Sequence, residues 1–505
     1  MARFGTFKYG AAKYGASALT TLLYSFFVDW NNDGAFPDSS TDSNNEAYER
    51  MVDWTSRRGR RELLRDSDQG GFNPYLVGTA RVVLDNNDDR YNPLNTSSPL
   101  YPNVSPGRYC RFSVQNGSTG SEWDIITGQI EEIELIGTGN DKQAVFHIVD
   151  GWRWLRDDSI SIDLTEDIAT ADALDAVLDG TSWPTAFGRD IGTGSETIPY
   201  WWEDGRSPSA AVKDLADSEY GRFWIAANGE ATFRSRHAID TSVVTFTEAN
   251  TLKDIQLGNP FKTIRDKVTI SVFPRVEQAS GTVWQLQDIP LIGAGDSATI
   301  WADFTYNNQP VPVKSAITPV ASTDYTANSQ ADGGGSDLTA NITVTMTTFG
   351  QRAKLIVSNT GGTDAYITLL KVRGVAISAP NRSLIIAGTG ARNFNLELPW
   401  QQTVNFATDL SDFLLDVLKL NSSLPTLMVE ARPTIQFPPD ITSRVTATLP
   451  TLDISGDYRI GYIEHQSIAP NCQAVRSTFT LEPFADLSGY WQFPTEIGVT
   501  SIFGL

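Results

Sequence analysis

The sequence predicts a mainly β, multidomain chain with a few short helices. Three observations predict it. Short runs in which apolar and polar residues alternate recur from Leu19 to Leu481, and clusters of Gly, Pro, Asn and Asp separate them. A helical period is confined to Thr170 to Leu178, Ser209 to Tyr220 and Asn405 to Lys419. With 505 residues the chain is also too long for one core, so about three or four domains are expected.

Charge and composition exclude several classes. The 39 basic and 60 acidic residues give a net charge of -21, which argues against sequence-independent nucleic-acid binding as the main task. A carboxylate-lined passage would still let DNA slide through without sticking. There is no apolar run long enough for a membrane-spanning segment. Residues 1–20 carry Arg3, Lys8 and Lys13 but no secretory-type apolar stretch. Cys110 and Cys472 are expected as free thiols buried in strands rather than as a bridge.

Residues 1–18 repeat an aromatic and glycine pattern, Phe4-Gly5, Tyr9-Gly10 and Tyr14-Gly15. Evenly spaced rings on a glycine-rich strip suit an arm that packs on a neighbouring surface, with Phe4, Tyr9 and Tyr14 as contact residues. A disordered terminus is the alternative. Leu19 to Val28 reads as the first strand. Asp29, Asn31, Asp33 and Gly34 then match the first half of a calcium loop, but Ser40 stands where the bidentate carboxylate belongs, so the reading is a turn and no metal is assigned. Val52 to Arg61 places Arg57, Arg58, Arg60 and Arg61 beside Trp54. Such a stretch suits phosphate or base contact, or a protein interface.

Thr79 to Phe112 is the stretch around which the chain is organised. Ala80, Val82 and Leu84 alternate as a strand, and Asp85 to Asp89 supply side-chain acceptors for a turn. Prolines then pin a crossing loop, and Tyr109 to Phe112 resumes as a strand. Trp123 to Leu135 and Gln143 to Val149 form a hairpin about a Gly137 to Asp141 turn, and Asp150 to Arg156 marks a boundary. Trp183, Trp201 and Trp202 suit either sugar rings or, more commonly, a core. Asn228-Gly229 turns a hairpin between Arg222 to Ala226 and Ala231 to Arg236. Arg275 to Ala387 is rich in Ser, Thr and Gly with short alternating runs, and reads as an inserted β-sandwich. Its Asp332 to Asp337 loop suits calcium or simple flexibility.

Catalytic constellations do not appear. His147, His237 and His465 lack the spacing of a metal pair, and there is no nucleophile elbow, phosphate loop or zinc cysteine pattern. Adjacent acids such as Glu131 and Glu132 are what sixty acids supply by chance. No enzyme activity and no cofactor are expected.

Several linked segments carry a resemblance. LDNNDDRYNPLN from Leu84, SPLYPNVSPGR from Ser98 and the Thr127, Gly128, Ile130 hairpin resemble phage tail proteins of the tail-tip or baseplate-hub type. The Tyr220 to Arg236 unit, and the run PTLMVEARPTI, TLDISGDYRIGYIEHQ and STFTLEP after the Asn405 helix, are similar to later parts of such proteins. The resemblance implies an N-terminal arm (1–18), a first hub β-barrel (19–155) and a small α+β domain (156–250). It implies a second hub β-barrel (251–273 plus 387–483) interrupted by the sandwich (274–386), then a C-terminal tail (484–505) with no room for a catalytic module. It further implies a homotrimer whose paired barrels make a near-sixfold ring, a place at the virion tail tip after assembly in the host cytoplasm, and DNA only in transit. The implied partners are a distal tail ring protein, the tape-measure protein and tail fibres or a central spike. In such proteins an RGR segment precedes the LDNxDxR strand, which makes Arg57, Arg58 and Arg60 expected interface residues. The alternative function is a host-glycan receptor-binding role for the insert.

Overall fold

The computed structural model describes residues 21–34, 44–59, 76–139, 141–238, 240–252, 255–258, 264–379, 381–419, 424–469 and 472–483. Six strands open the chain: β1 (Leu22–Val28), β2 (Met51–Gly59), β3 (Leu76–Asp85), β4 (Tyr109–Asn116), β5 (Glu122–Thr138) and β6 (Asp141–Val149). They hydrogen-bond in the order β1-β4-β5-β6-β3-β2. Alternation decides which face turns inward, so Leu22, Tyr24, Phe26 and Val28 of β1 are buried while Leu23 faces out. Aromatic rings fill this first core edge to face: Phe26 on Phe146 at 5.3 Å, Trp54 on Phe112 at 5.1 Å, Tyr91 on Phe146 at 5.2 Å.

The acidic turn after β3 is a closed hydrogen-bond circuit. Asn86 Oδ1 accepts from the Tyr91 amide, Asp88 is forked to Arg50, and Lys142 reaches Asp89 at 2.8 Å. Below it, the buried Glu46 accepts two bonds from Arg90, one from the Tyr91 hydroxyl and one from the Trp30 indole. A charge taken out of water needs its lone pairs satisfied, and Glu46 has four donors. The loop is therefore held by polar contacts over an aromatic floor, where the sequence alone suggests a turn without apolar support.

Asp150 to Arg156, expected as a boundary, holds a helix, α1 (Trp152–Asp157), whose Trp152 and Leu155 are buried in a second core. There follow β7 (Ile160–Ala169), α2 (Thr170–Asp179), β8 (Arg189–Ile191), β9 (Thr197–Arg206), α3 (Pro208–Ser218), β10 (Arg222–Ile225) and β11 (Ala231–Arg234). The Asn228-Gly229 turn forms as expected, with Gly229 at φ +92° and Phe187 2.6 Å from where a Cβ would sit. This region has no separate core. Leu174, Trp201, Leu215 and Phe233 pack in one cluster with Leu427, Val429, Ile460 and Phe479 from the far end of the chain.

The stretch expected as a second barrel is divided between two sheets. β12 (Thr245–Thr247), β13 (Gln256–Gly258) and the strands Leu424–Glu430, Arg444–Leu449, Ile454–Ser467 and Val475–Pro483 extend the first sheet to twelve strands. By contrast β14 (Lys267–Val272) pairs with Ser383–Gly388 and Asn393–Leu398 in a sheet of its own, covered by α4 (Val404–Lys419). The stripe of α4 dictates that separation, because Phe406, Leu410, Phe413, Leu414 and Leu418 are the apolar cover for Val268, Ile270 and Val272.

The insert runs from Val276 to Ser378. One of its sheets gathers on the long strand Ala365–Ser378 and the other is Ser297–Asp303, Arg352–Asn359 and Ile342–Phe349. Both contribute to a single core, including Val313, Ile367 and Val372 from one and Ala302, Leu355 and Val357 from the other.

Candidate functional site

The basic segment after Trp54 lies at the centre of the molecule. β2 pairs with β3 on one side and with Ile454–Ser467 on the other, in a register that sets Thr55 against Gln466, Arg58 against Ile463 and Gly59 against Tyr462. This one pairing joins the N-terminal and C-terminal halves of the twelve-stranded sheet. Gly59 permits it. Its φ of +107° lies in the left-handed region, and a Cβ there would meet the Gly461 carbonyl oxygen at 2.3 Å.

The two arginines before Gly59 part company. Arg57 is half exposed and pairs with Glu464 across the seam at 3.0 Å. Arg58, expected at a partner interface, is 6% exposed and its guanidinium is engaged within the chain. Its guanidinium sits 2.5 Å from Asp440 and donates to the Ile225 carbonyl at 2.6 Å, while Asp440 also accepts from the Ala227 amide at 2.9 Å. One ion pair thus ties β2, the β10 end and the 437–440 loop. The strand alternation that points Arg57 outward turns Arg58 inward. Arg60, Phe4, Tyr9 and Tyr14 lie outside the described residues.

Above this pair opens a cleft of about 310 Å³, walled by Trp123, Phe437, Pro438, Asn228, Asp440 and His465. Two titratable groups near Arg58, Asp150 behind the cleft and His465 in its wall, are tuned by burial. Asp150, on the inner side of Arg58, accepts from the Gly78 and Trp152 amides, and burial pushes its carboxyl up to about 7 against the pull of Arg58. His465 faces Ser477 Oγ at 2.7 Å, and burial, assisted by the Arg58 charge, pushes its imidazole down to about 3. At neutral pH the imidazole is therefore an uncharged structural group. Arg58 and Asp440 are engaged in the contacts that hold β2, the β10 end and the 437–440 loop together. Asp150, Asp440 and Gly59 went unread in the sequence. The Asp-Gly-Trp and Pro-Pro-Asp triplets are the signals that locate the first two.

Other candidates fall elsewhere. Asp29 is buried and its carboxylate accepts from the Asp33 and Gly34 amides at 3.1 and 3.0 Å, while Asn31 donates to Asp33, the geometry of a turn. Trp183, Trp201 and Trp202 belong to the second core. Trp202 meets Trp400 edge to face at 5.0 Å, and Arg275, at the root of the insert, lies over both rings at 4.9 and 5.6 Å. Burial lowers that guanidinium to about 10. His147 is half exposed, 3.7 Å from Glu134, and His237 lies in a turn. Both cysteines are free and buried, as expected; Cys110 lies in β4, whereas Cys472 lies in a turn before Val475–Pro483 rather than in a strand. Among the described residues no helix is long and apolar enough to cross a membrane.

No family model matches the chain, and no curated protein matches it. Solved structures that align with it include tail proteins and a component of the type VI secretion system. The tail protein from Neisseria meningitidis has 10% identity and a TM-score of 0.48, covering 93% of this chain and 98% of that one. The 43 kDa tail protein of prophage MuSo2 from Shewanella oneidensis has 10% identity and a TM-score of 0.46, covering 92% and 98%. The E. coli c3393 protein, described as a component of the type VI secretion system, has 7% identity and a TM-score of 0.36, covering 86% and 74%.

Proposed function

We propose that this chain is a structural hub of a phage tail tip or baseplate, a trimeric ring component that joins a sixfold tail tube to a threefold tip and lines the DNA passage. The observation that carries the reading is the seam. Two halves distant in sequence are joined strand to strand through β2 and Ile454–Ser467 and locked by Arg58 and Asp440. A chain that contributes two sheet halves joined edge to edge presents a repeatable contact, and head-to-tail repetition of such a contact closes a ring. The ends of the sheet path are β1 and β13, one on each half. The distal tail ring protein, the tape-measure protein, and fibres or a central spike are the proposed partners, and the virion tail tip is the proposed location. The Phe4 to Gly15 arm and the half-exposed Arg57 are the proposed contacts with neighbouring subunits. A native mass measurement of the purified protein tests the ring: a trimer is expected, and a strict monomer at all concentrations overturns it.

A second reading, host-glycan binding by the insert, is favoured by one surface. Trp301 is 51% exposed on the outer face of its sheet, 5.7 Å from Phe349, among the hydroxyls of Thr299, Thr345 and Thr347. An open indole among hydroxyls suits a sugar ring. Glycan-array binding lost in Trp301→Ala supports it; an array without signal removes it.

A further inference from the structure

Insert and body meet across a seam of opposite charge. The antiparallel body pair β7 and β9 presents Asp163, Glu166 and Asp204; the insert presents Lys314, Thr348 and Arg352. Lys314 Nζ lies 2.6 Å from Glu166 and 2.8 Å from Glu277, which sits at the insert's root. Arg352 lies 3.2 Å from Asp204, the Thr348 hydroxyl donates to Asp163, and the Tyr200 hydroxyl donates to Glu277 at 2.6 Å. Lys314 and Tyr200 hold the Glu277 carboxyl below its usual range. Among the described residues the insert core and the body cores share no side chain. The root itself is narrow. Val276 and Glu277 pair with Ser378 and Ile377, and the neighbouring Arg275 is stacked on Trp202 and Trp400.

We propose that the insert is a hinged arm, held against the β7–β9 strand pair by this electrostatic seam and pivoting at the Arg275 root when the seam is screened. Exposed ion pairs each shift an equilibrium by at most about fivefold, so the two that cross from insert to body, Lys314 to Glu166 and Arg352 to Asp204, favour the docked arm by up to about twenty-fivefold. Such a preference is strong enough to hold and weak enough to release. The screening length falls from about 10 Å at 0.1 M salt to about 3 Å at 1 M, which removes most of that preference. A competing charged surface acts on the same pairs.

The test uses the full chain with one dye at Ser297, at the far end of its strand from Asp303, and another at Asp172 on α2, both exposed. Energy transfer between them is expected to change as salt rises from about 0.05 M to about 1 M. The Lys314→Glu, Arg352→Asp variant is expected to show the high-salt value already at low salt. Adding Asp204→Arg and Glu166→Lys to that variant restores opposite charges and is expected to return the low-salt value. Transfer that is insensitive to salt in the parent and unchanged by charge reversal overturns the hinge. So does a reversed variant whose signal the compensating changes fail to restore, since the loss then reflects damage rather than charge.

Discussion

Arg57 and Arg58 adjoin in sequence and differ in every physical respect that matters for stability. Arg57 pairs with Glu464 at the surface, where solvent screens the pair, and Arg57→Ala is expected to cost about 0–1 kcal/mol. Removing Arg58 strands Asp440 beside the β10 end and leaves Asp150 without its neighbouring cation. Arg58→Ala is therefore expected to cost about 3–5 kcal/mol, read as a shift of the urea midpoint at unchanged slope. Asp150 makes a second, pH-dependent prediction. In the folded chain it keeps its proton up to about 7, whereas an unfolded carboxyl releases it near 3.8. Between those values the folded state binds more protons, so stability falls as pH rises and levels off above the folded pKa. Glu203 and Glu219, also raised to about 7 by burial, contribute in the same direction. Asp150→Asn is expected to shrink the loss of melting temperature between about pH 5 and pH 8, and an undiminished loss would assign the whole slope to the other two acids.

At the scale of elements, Gly59 decides whether two strands can lie together. A methyl group there faces both an unfavourable φ and the Gly461 carbonyl oxygen at 2.3 Å, with backbone on each side and no flexible side chain to yield. Gly59→Ala is expected to cost at least about 2 kcal/mol and to accelerate amide exchange in β2 and Ile454–Ser467 before the rest of the sheet. Uniform exchange across the sheet would show that the seam is not a separate unit. Much of the local structure was legible beforehand. The Leu410, Phe413, Leu414 stripe of α4, the Asn228-Gly229 hairpin and the alternation in β1 and β3 each encode an element within a few residues. What alternation does not encode is the neighbour. Nothing in Thr55 to Gly59 specifies Tyr462 to Gln466, because a strand's edge offers the same backbone donors and acceptors to any partner. The same gap explains Arg58: its inward direction follows from strand parity, but its acceptor Asp440 lies across the fold. It also explains α1, whose Trp152 and Leu155 gain their value from a core assembled mostly from later residues, those of 160–246 and the C-terminal strands.

At the scale of the whole molecule, the insert is separable and the middle region is not. Residues 156–250 share a core with the C-terminal strands, so deleting either would expose the apolar face of the other. The insert has the opposite construction. Its core is its own, its two ends pair directly at Val276 and Ser378, and its other contacts with the body include the ion pairs and hydrogen bonds of β7 and β9. Replacing residues 278–376 with a short Gly-Ser turn would close a hairpin that already exists, and the entropy of closing so short a loop is small. The shortened chain is expected to keep the melting temperature of the body within a few degrees. Its denaturant slope is expected to fall, because less surface is exposed on unfolding. Under the hub reading it is also expected to keep its oligomeric state, since the seam and both ends of the sheet path lie outside the replaced segment. Loss of folding would show that the insert braces the body. A folded monomer would instead move the subunit contact into the insert, and the tail-tip ring would have to be built through that domain.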